Sequence, residues 1–232
     1  MTRIYSALSN LKIKDLLNVL INQSSSPETY KETIFTLGLN LGDIILTQIN
    51  NAQDEVCLAC TVEDADFLAK GILARLESRL TRVALVCFWN QYFSPFDIED
   101  LEVAPIIKRY QEPLVENIKY LVIAQSIISE TCVIRTNLMN LIQKTKPEKI
   151  LIAAPVVFSQ SEKTLKDSFE KEIHDKFQFF YFAVDDQCTE EGEVIPGVGG
   201  IVYNRLGFSG QDAKNKYIPE IVKARRTNFV NV

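Results

Sequence analysis

The sequence predicts an α/β protein with a mainly parallel sheet covered by helices on both faces. Short apolar runs rich in Val, Ile and aromatic residues alternate with longer segments of helical periodicity, a pattern typical of βαβ units. Runs such as VALVCFW, KYLVIA, KILIAAP and FQFFYFAV are almost continuously apolar, as strands buried between two helical layers are. The 232 residues are 47% hydrophobic, which is enough for one continuous core. A single domain over residues 1–232 is therefore expected.

The elements follow in order from the N-terminus. Apolar residues at helical spacing predict an amphipathic helix over residues 4–21. Ser26, Pro27 and Glu28 have the pattern of an N-cap, a first-turn proline and an acidic first turn, so a second helix is expected to begin there and to end at Gly38. The predicted strands are 43–49, 55–61, 83–89, 118–124, 149–155 and 178–185, and the remaining predicted helices are 65–79, 131–144 and 161–174.

The sequence indicates three parts within this one domain. Residues 1–42 form a helical N-terminal part, residues 43–208 the α/β core and residues 209–232 a C-terminal extension. Ligands of a parallel sheet bind at the carboxyl ends of its strands, so the functional site is expected at that edge of the core.

The charge and hydropathy patterns exclude two classes of function. The formal net charge is −5, whereas affinity for nucleic-acid phosphates depends on clustered Lys and Arg. The dense basic cluster Lys223, Arg225 and Arg226 is interpreted as a solvated helix end. No apolar run approaches the roughly 18 residues that span a bilayer. Neither a nucleic-acid partner nor a membrane role is therefore expected.

The expected compartment is a reducing one. The five cysteines are scattered and odd in number, which argues against a disulfide framework. The N-terminal residues have neither the apolar core of a secretory leader nor a transit pattern, so no targeting peptide is expected. Abundant Ile, Lys and Asn are typical of AT-rich genomes. We expect a soluble protein of the bacterial cytoplasm or, if it is plastid-encoded, of the plastid stroma.

The segment VDDQCTEEGEVIPGVGG, residues 184–200, carries the most specific motif. Pro196 with Gly197 and Gly199 predicts a tight loop whose backbone can approach a planar base closely. The segment resembles the uracil-binding loop of uracil phosphoribosyltransferases, approximately I-D-x-x-L-N-E-x-G-Y-I-I-P-G-L-G-D-A-G. The matching residues are Asp185, Glu190, Gly192, Ile195, Pro196, Gly197 and Gly199. The alternative interpretation is an ordinary turn between two strands.

This resemblance extends over roughly residues 55–208 and implies the type I phosphoribosyltransferase fold, a mainly parallel twisted sheet flanked by helices. It implies that uracil is bound by Val194, Gly199, Gly200 and Ile201. The reaction implied is pyrimidine salvage by a glycosyltransferase, in which uracil and phosphoribosyl diphosphate give UMP and diphosphate. A homodimer is also implied.

The segment YLVIAQSIISETCVIRTNLMNLI has the outline of the family's phosphoribosyl-diphosphate loop, which reads approximately D-P-M-L-A-T-G-G-S. The corresponding residues are Ala124, Gln125, Ser126, Ile127, Ile128, Ser129, Glu130, Thr131 and Cys132. Ala124 replaces the Asp that accepts hydrogen bonds from the ribose hydroxyls. Glu130 places a carboxylate where the 5′-phosphate binds, and two like charges about 4 Å apart cost several kcal/mol. The loop is therefore expected to bind phosphate poorly.

The basic residues that hold the diphosphate in the family are also replaced. By the resemblance, Glu63 occupies the position of one clamp Arg and Asn90 that of another, while Gly200 replaces the Asp of G-D-A. Catalysis in this family depends on charge stabilisation around the departing diphosphate. Little or no transfer is therefore expected, and no catalytic residue is assigned. No tightly bound cofactor is expected, and Mg²⁺ would bind only with the diphosphate of an active enzyme.

Two hypotheses about function remain. The chain is either a uracil phosphoribosyltransferase homologue with reduced or lost activity, or a pseudoenzyme that binds uracil or UMP, or keeps only the fold, as a regulatory partner. An enzyme with a different, less anionic substrate would need new catalytic groups, and none are clustered in the sequence.

Three other residue types are candidates for sites. Cys57 and Cys60 form a C-x-x-C, but on a strand their side chains point to opposite faces, so burial is expected and no metal site. His174 falls near the end of a charged helix, where a cation stabilises the helix dipole. Asp185 and Asp186 end a strand, where they either meet a metal or a ribose or are simply solvated.

Overall fold

The computed structural model describes residues 3–93, 103–129, 131–189 and 192–230, with residues 228–230 described by their backbone alone. The strands are β1 (Ile4–Tyr5), β2 (Val56–Thr61), β3 (Val83–Asn90), β4 (Ile106–Gln111), β5 (Tyr120–Ala124), β6 (Ile127–Ile128), β7 (Lys149–Phe158), β8 (Phe177–Asp185), β9 (Gln187–Cys188) and β10 (Val194–Ile195). The helices are α1 (Leu11–Ile21), α2 (Pro27–Leu46), α3 (Val62–Asp64), α4 (Lys70–Leu76), α5 (Cys132–Ile142), α6 (Ser161–Asp167), α7 (Lys171–His174), α8 (Val202–Arg205), α9 (Gln211–Lys216) and α10 (Glu220–Val230), with a π-helical turn (Ala65–Ala69) between α3 and α4.

The central sheet has the strand order β1-β8-β7-β5-β2-β3-β4, with β6 beside β7. The pairs from β8 through β7, β5 and β2 to β3 are all parallel. The edge strands β1 and β4 are antiparallel to their neighbours, and β9 pairs with β10 outside this sheet. The prediction of an α/β fold with a mainly parallel sheet is confirmed.

Helices cover both faces of this sheet, and each face has its own apolar cluster. One cluster joins α1, α2 and α4 to the sheet and includes Cys60, whereas the other joins α5 and α6 to the opposite face and includes Cys57. Both thiols are buried. The expectation that these two cysteines point to opposite faces and lie in the core is confirmed.

The second helix is longer than predicted. Gly38 does not end α2, which continues to Leu46, so the predicted strand 43–49 is wrong. Gly38 instead marks a close helix crossing, because a Cβ atom there would lie 2.3 Å from the Leu68 carbonyl oxygen. Gly71 lies at the same crossing on the α4 side, because a Cβ atom added there would lie 2.3 Å from the Phe35 carbonyl oxygen. These two glycines thus allow the backbone of α2 to contact the backbone of the π-helical turn and of α4.

Other predicted helices also have different bounds. The N-terminal helix begins at Leu11 and not at residue 4, because Asn10 caps it by accepting a hydrogen bond from the Ile13 amide at 2.9 Å. The preceding residues pair with β8 as β1. The predicted helix 161–174 is two short helices, α6 and α7.

The C-terminal extension is anchored to the core through Asp66. The buried Asp66 carboxylate accepts hydrogen bonds from the Glu220 and Ile221 amides, at 2.8 and 2.9 Å, and from the Tyr217 hydroxyl. The Trp89 indole donates to the Tyr217 carbonyl oxygen at 2.9 Å. These bonds hold α9 and the start of α10 against the sheet.

The basic cluster of the extension is only partly solvated. Lys223 and Arg226 are exposed, as expected. Arg225 is not, because its guanidinium forms a fork with Glu112, at 2.6 and 2.9 Å, and also pairs with Glu77. The interpretation of Arg225 as a solvated helix end is therefore wrong. No helix in the described part of the chain is long and apolar enough to cross a bilayer.

Candidate functional site

A cleft opens at the carboxyl ends of β2, β3 and β5, where a ligand site was expected. It has two adjoining cavities of about 390 and 320 Å³, which share Ser129, Cys132, Gly192 and Val194 in their walls. The first cavity lies beside the start of α5, and the second lies between the residues that follow β2 and the segment 192–203. We refer to them as the α5 cavity and the inner cavity.

The loop that resembles a uracil-binding loop forms one wall of the inner cavity. Val194, Gly200 and Ile201, which the resemblance assigns to uracil, line it, and that assignment stays a prediction. Gly199 does not line the cavity, because it faces α1. A Cβ atom added there would lie 2.2 Å from the Leu20 carbonyl oxygen. Tyr30 buttresses the loop from behind by donating its hydroxyl to the Val198 carbonyl oxygen at 3.0 Å. The loop is therefore a fixed wall of the cleft.

Asp185 holds the same loop. Its carboxylate is fully buried and accepts two hydrogen bonds from the Arg3 guanidinium, at 2.9 and 2.7 Å, and one from the Gly197 amide at 2.9 Å. Arg3 also donates to the Gly197 carbonyl oxygen. Asp185 therefore forms a structural ion pair with Arg3. Both interpretations from the sequence, a ligand for a metal or ribose and a solvated strand end, are wrong. Asp186 is exposed at the strand end.

The loop between β5 and α5 is divided between the sheet and the α5 cavity. Ala124 ends β5 fully buried, and Ile127 and Ile128 form β6 beside β7. Ser129, Thr131 and Cys132 line the α5 cavity. Glu130 lies outside the described residues, so its position at the phosphate stays a prediction.

Arg135 is a further residue of the α5 cavity that the sequence analysis missed. It lies in the first turn of α5, it is exposed, and it lines the cavity together with Thr131 and Thr164. A guanidinium beside two hydroxyls at a helix N-terminus is chemically suited to an anionic group. The signal in the sequence was a lone basic residue just after the loop, and no pattern distinguished it from other surface arginines.

Asp64, also missed from the sequence, fixes the start of the β5–α5 loop. Its buried carboxylate accepts hydrogen bonds from the Ser126 amide at 3.2 Å, from the Ser126 hydroxyl and from the Thr61 hydroxyl at 3.0 Å. Burial and then the neighbouring charge of Glu63 raise the pKa of Asp64 to about 7, although the hydrogen bonds from Ser126 and Thr61 oppose the shift. Ser126 is therefore a structural residue of the loop that is turned away from the cavities.

The raised pKa of Asp64 predicts a pH-dependent stability. An unfolded Asp has a pKa of about 4, so between pH 4 and the native pKa of about 7 the native state keeps a proton that the unfolded state has released. That stabilisation is complete below the unfolded pKa and is lost as the pH rises through the native pKa. We expect the free energy of unfolding, measured by urea denaturation at pH 5 to 8, to fall more steeply with pH in the wild type than in Asp64→Asn. Parallel pH profiles of the two proteins would show that Asp64 does not titrate in this window.

Glu63 and Asn90, the two residues that the resemblance assigns to the diphosphate clamp, carry no basic group. Asn90 is buried, and its side-chain amide donates to Asn137 and to the Ala104 carbonyl oxygen, each at 2.9 Å, and accepts from Asn137 at 3.0 Å. Glu63 lines the inner cavity with a side chain that is 18% exposed. Both residues line the inner cavity, and their assignment to the clamp stays a prediction from the resemblance.

Lys214, from α9 of the extension, fills the space between them. Its ammonium is 3.8 Å from a Glu63 carboxylate oxygen, 3.2 Å from the Asn90 carbonyl oxygen and 5.5 Å from the centre of the Tyr203 ring. The side chain is only 5% exposed and lines the inner cavity. Nothing in the sequence singled out Lys214 among several lysines, because its partners are far away along the chain.

The remaining candidates lie away from the cleft. His174 ends α7, and its Nδ1 lies 2.9 Å from the Lys166 carbonyl oxygen. Within the described ranges, no three His, Cys, Asp or Glu side chains are grouped so as to hold a metal ion.

Comparison with known proteins places the chain by its fold. No family model matches the sequence, and no curated protein matches it. Among solved structures the chain is similar to the AQ2163 protein of Aquifex aeolicus, with a TM-score of 0.68 and 18% identity over 88% of this chain and 98% of that one. It is also similar to the TT1426 protein of Thermus thermophilus, with a TM-score of 0.45 and 12% identity over 80% and 95% of the two chains.

A hypoxanthine phosphoribosyltransferase of Staphylococcus aureus matches with a TM-score of 0.40 and 17% identity over 55% of this chain and 65% of that one. The likeness to the AQ2163 protein, at 18% identity, is one of fold alone.

Proposed function

We propose that this chain is a divergent homologue of uracil phosphoribosyltransferases that binds uracil or UMP in its cleft and has lost phosphoribosyl transfer. The observation that carries the proposal is the ion pair between Lys214 and Glu63, the residue that the resemblance assigns to the diphosphate clamp. The resemblance of the loop 184–200 to a uracil-binding loop supplies the ligand class.

The wall of the cleft that resembles a base-binding loop is firmly held. The loop from Val194 to Ile201 is held by Asp185, Arg3 and Tyr30, so its backbone is fixed before any ligand arrives. A preorganised wall lowers the entropic cost of binding a small planar ligand. Arg135 and the hydroxyls of the α5 cavity are suited to the phosphate of UMP.

The diphosphate side of the cleft is changed. An arginine clamp would offer net positive charge, whereas Glu63 and Lys214 together are neutral. To bind a diphosphate, Lys214 would have to leave Glu63, and the carboxylate would then face the diphosphate. Two like charges at about 4 Å repel by about 4 kcal/mol at an effective dielectric of 20. Ala124 adds no acceptor for the ribose, because it is a buried methyl group.

A second candidate, an active transferase, is favoured by one observation. Lys214 is a buried cation in the cleft, and it comes from an element outside the segment that resembles the family. An ammonium can bind a diphosphate as a point charge, so Lys214 would then replace the missing arginine. Mg²⁺ would be required with the diphosphate in that case alone. The homodimer implied by the resemblance stays a prediction under either candidate.

A transfer assay separates the two candidates. We expect the protein to bind uracil or UMP in calorimetry but to form no UMP from labelled uracil, phosphoribosyl diphosphate and Mg²⁺. The reason is that Lys214 and Glu63 neutralise each other at the assigned clamp. An active uracil phosphoribosyltransferase serves as the positive control. UMP formation that is lost in Lys214→Met would overturn the proposal and establish the second candidate.

A further inference from the structure

The polar end of the inner cavity contains an unused hydrogen-bond acceptor. The Glu63 oxygen nearest to Lys214 is buried and accepts no hydrogen bond from any residue that the structure describes. Its 3.8 Å distance to the Lys214 ammonium is an ion-pair distance and is too long for a hydrogen bond. Because a buried carboxylate oxygen without a donor is unfavourable, a donor from a ligand would stabilise it.

A hydrogen-bond donor lies beside this acceptor. An ammonium group has three N–H donors. Among the described residues, Lys214 uses one of them for a hydrogen bond, to the Asn90 carbonyl oxygen at 3.2 Å. The Tyr203 ring flanks the ammonium at 5.5 Å and keeps it at the cavity wall. An acceptor and a donor thus stand next to each other at one end of the cavity.

The rest of the inner cavity is suited to a planar ring. Its volume of about 320 Å³ is at the small end of ligand sites, and apolar side chains form much of its other walls, beside the polar Ser129, Glu193 and Gln211. These apolar walls are Ile127, Val133, Val194, Ile201 and Val202. A ring between them would direct its polar edge towards Glu63 and Lys214.

We propose that Glu63 and Lys214 determine specificity by reading a cis-amide edge of a planar heterocycle, the adjacent N–H and C=O of a lactam or imide. Glu63 accepts from the ligand N–H, and Lys214 donates to the neighbouring carbonyl oxygen. A diphosphate offers acceptors only, so it would leave Glu63 without a donor. This inference rests on the proposed function, and it gives the C-terminal extension a role, since the extension supplies half of the recognition.

Two isomeric ligands test this without any mutation. 1-Methylthymine keeps the N3–H between two carbonyls, whereas 1,3-dimethyluracil has the same atoms but no N–H. We expect calorimetry to show that uracil and 1-methylthymine bind and that 1,3-dimethyluracil binds at least about tenfold more weakly, as the loss of a hydrogen bond to a charged group implies. Equal affinities of the two isomers would overturn the inference.

Variants test the two residues themselves. Lys214→Met and Glu63→Leu are each expected to weaken uracil binding at least about tenfold. Lys216→Met is the matched control, because Lys216 is exposed on the same helix and does not line the cavity. Uracil binding by Lys214→Met at wild-type affinity would overturn the inference. If the wild type binds none of the three ligands, the inference and the proposed function both fail. If it binds 1,3-dimethyluracil as tightly as 1-methylthymine, the inference alone fails.

Discussion

Asp185→Asn is expected to lower the free energy of unfolding by about 3–5 kcal/mol, because it breaks a buried ion pair and leaves the other charge without compensation. Asp185 is fully buried, and the Arg3 side chain is 8% exposed. The variant would also loosen the Gly197 amide, which donates to the same carboxylate at 2.9 Å. Urea denaturation followed by circular dichroism measures the loss.

Two controls identify the cause. Arg3→Met combined with Asp185→Asn removes both charges, so the double variant is expected to recover part of the stability that the single variant loses. Glu116→Gln breaks the Lys146–Glu116 pair, whose side chains are 71% and 64% exposed, and is expected to change little. An Asp185→Asn protein as stable as the wild type would show that the pair does not hold the loop.

Gly199→Ala is expected to abolish uracil binding and to lower the free energy of unfolding by about 3 kcal/mol, since it combines an unfavourable backbone conformation with an overpacked contact. Gly199 has φ +81°, and an added Cβ would lie 2.2 Å from the Leu20 carbonyl oxygen. The loop would have to move away from α1, and the wall of the inner cavity would move with it. Calorimetry with uracil and urea denaturation measure the two effects.

Gly207→Ala is the matched control for the cost of the unfavourable backbone conformation. Gly207 has φ +92°, but the nearest atom to its Cβ position is Pro27 Cβ at 3.7 Å, an ordinary contact. We expect it to cost about 1–2 kcal/mol of stability and to leave uracil binding intact. Equal losses in the two variants would show that the approach of Gly199 to Leu20 is not what positions the loop.

The central strands were predictable because their signal is local. Each of β3, β5 and β7 is an almost continuously apolar run, and such runs are buried on both faces wherever they lie in a parallel sheet. The end of α2 was not predictable in the same way. The run GDIILTQIN has the composition of a strand, but its residues 42–46 end α2, which packs through the crossing at Gly38 and Gly71, two positions that are far apart in the sequence.

The location of the cleft, at the carboxyl ends of the parallel strands, was predictable from the strand pattern. Val194, Gly200 and Ile201, which the resemblance assigns to uracil, line the inner cavity together with Glu63 and Asn90, and the binding roles of all five stay predictions. The partners of these residues were not predictable, because the bonds from Arg3 to Asp185 and from Lys214 to Asn90 join distant segments. Asp64 was overlooked for the same reason, since Ser126 and Thr61 meet it only in the folded chain.

Titration of the purified protein with phosphoribosyl diphosphate and Mg²⁺ at low ionic strength, where electrostatic attraction is strongest, tests the loss of the diphosphate clamp most directly. We expect no heat of binding from the diphosphate in a sample that binds uracil or UMP. Micromolar binding of the diphosphate would contradict the proposed function, because it would show that Glu63 and Lys214 leave the diphosphate site open.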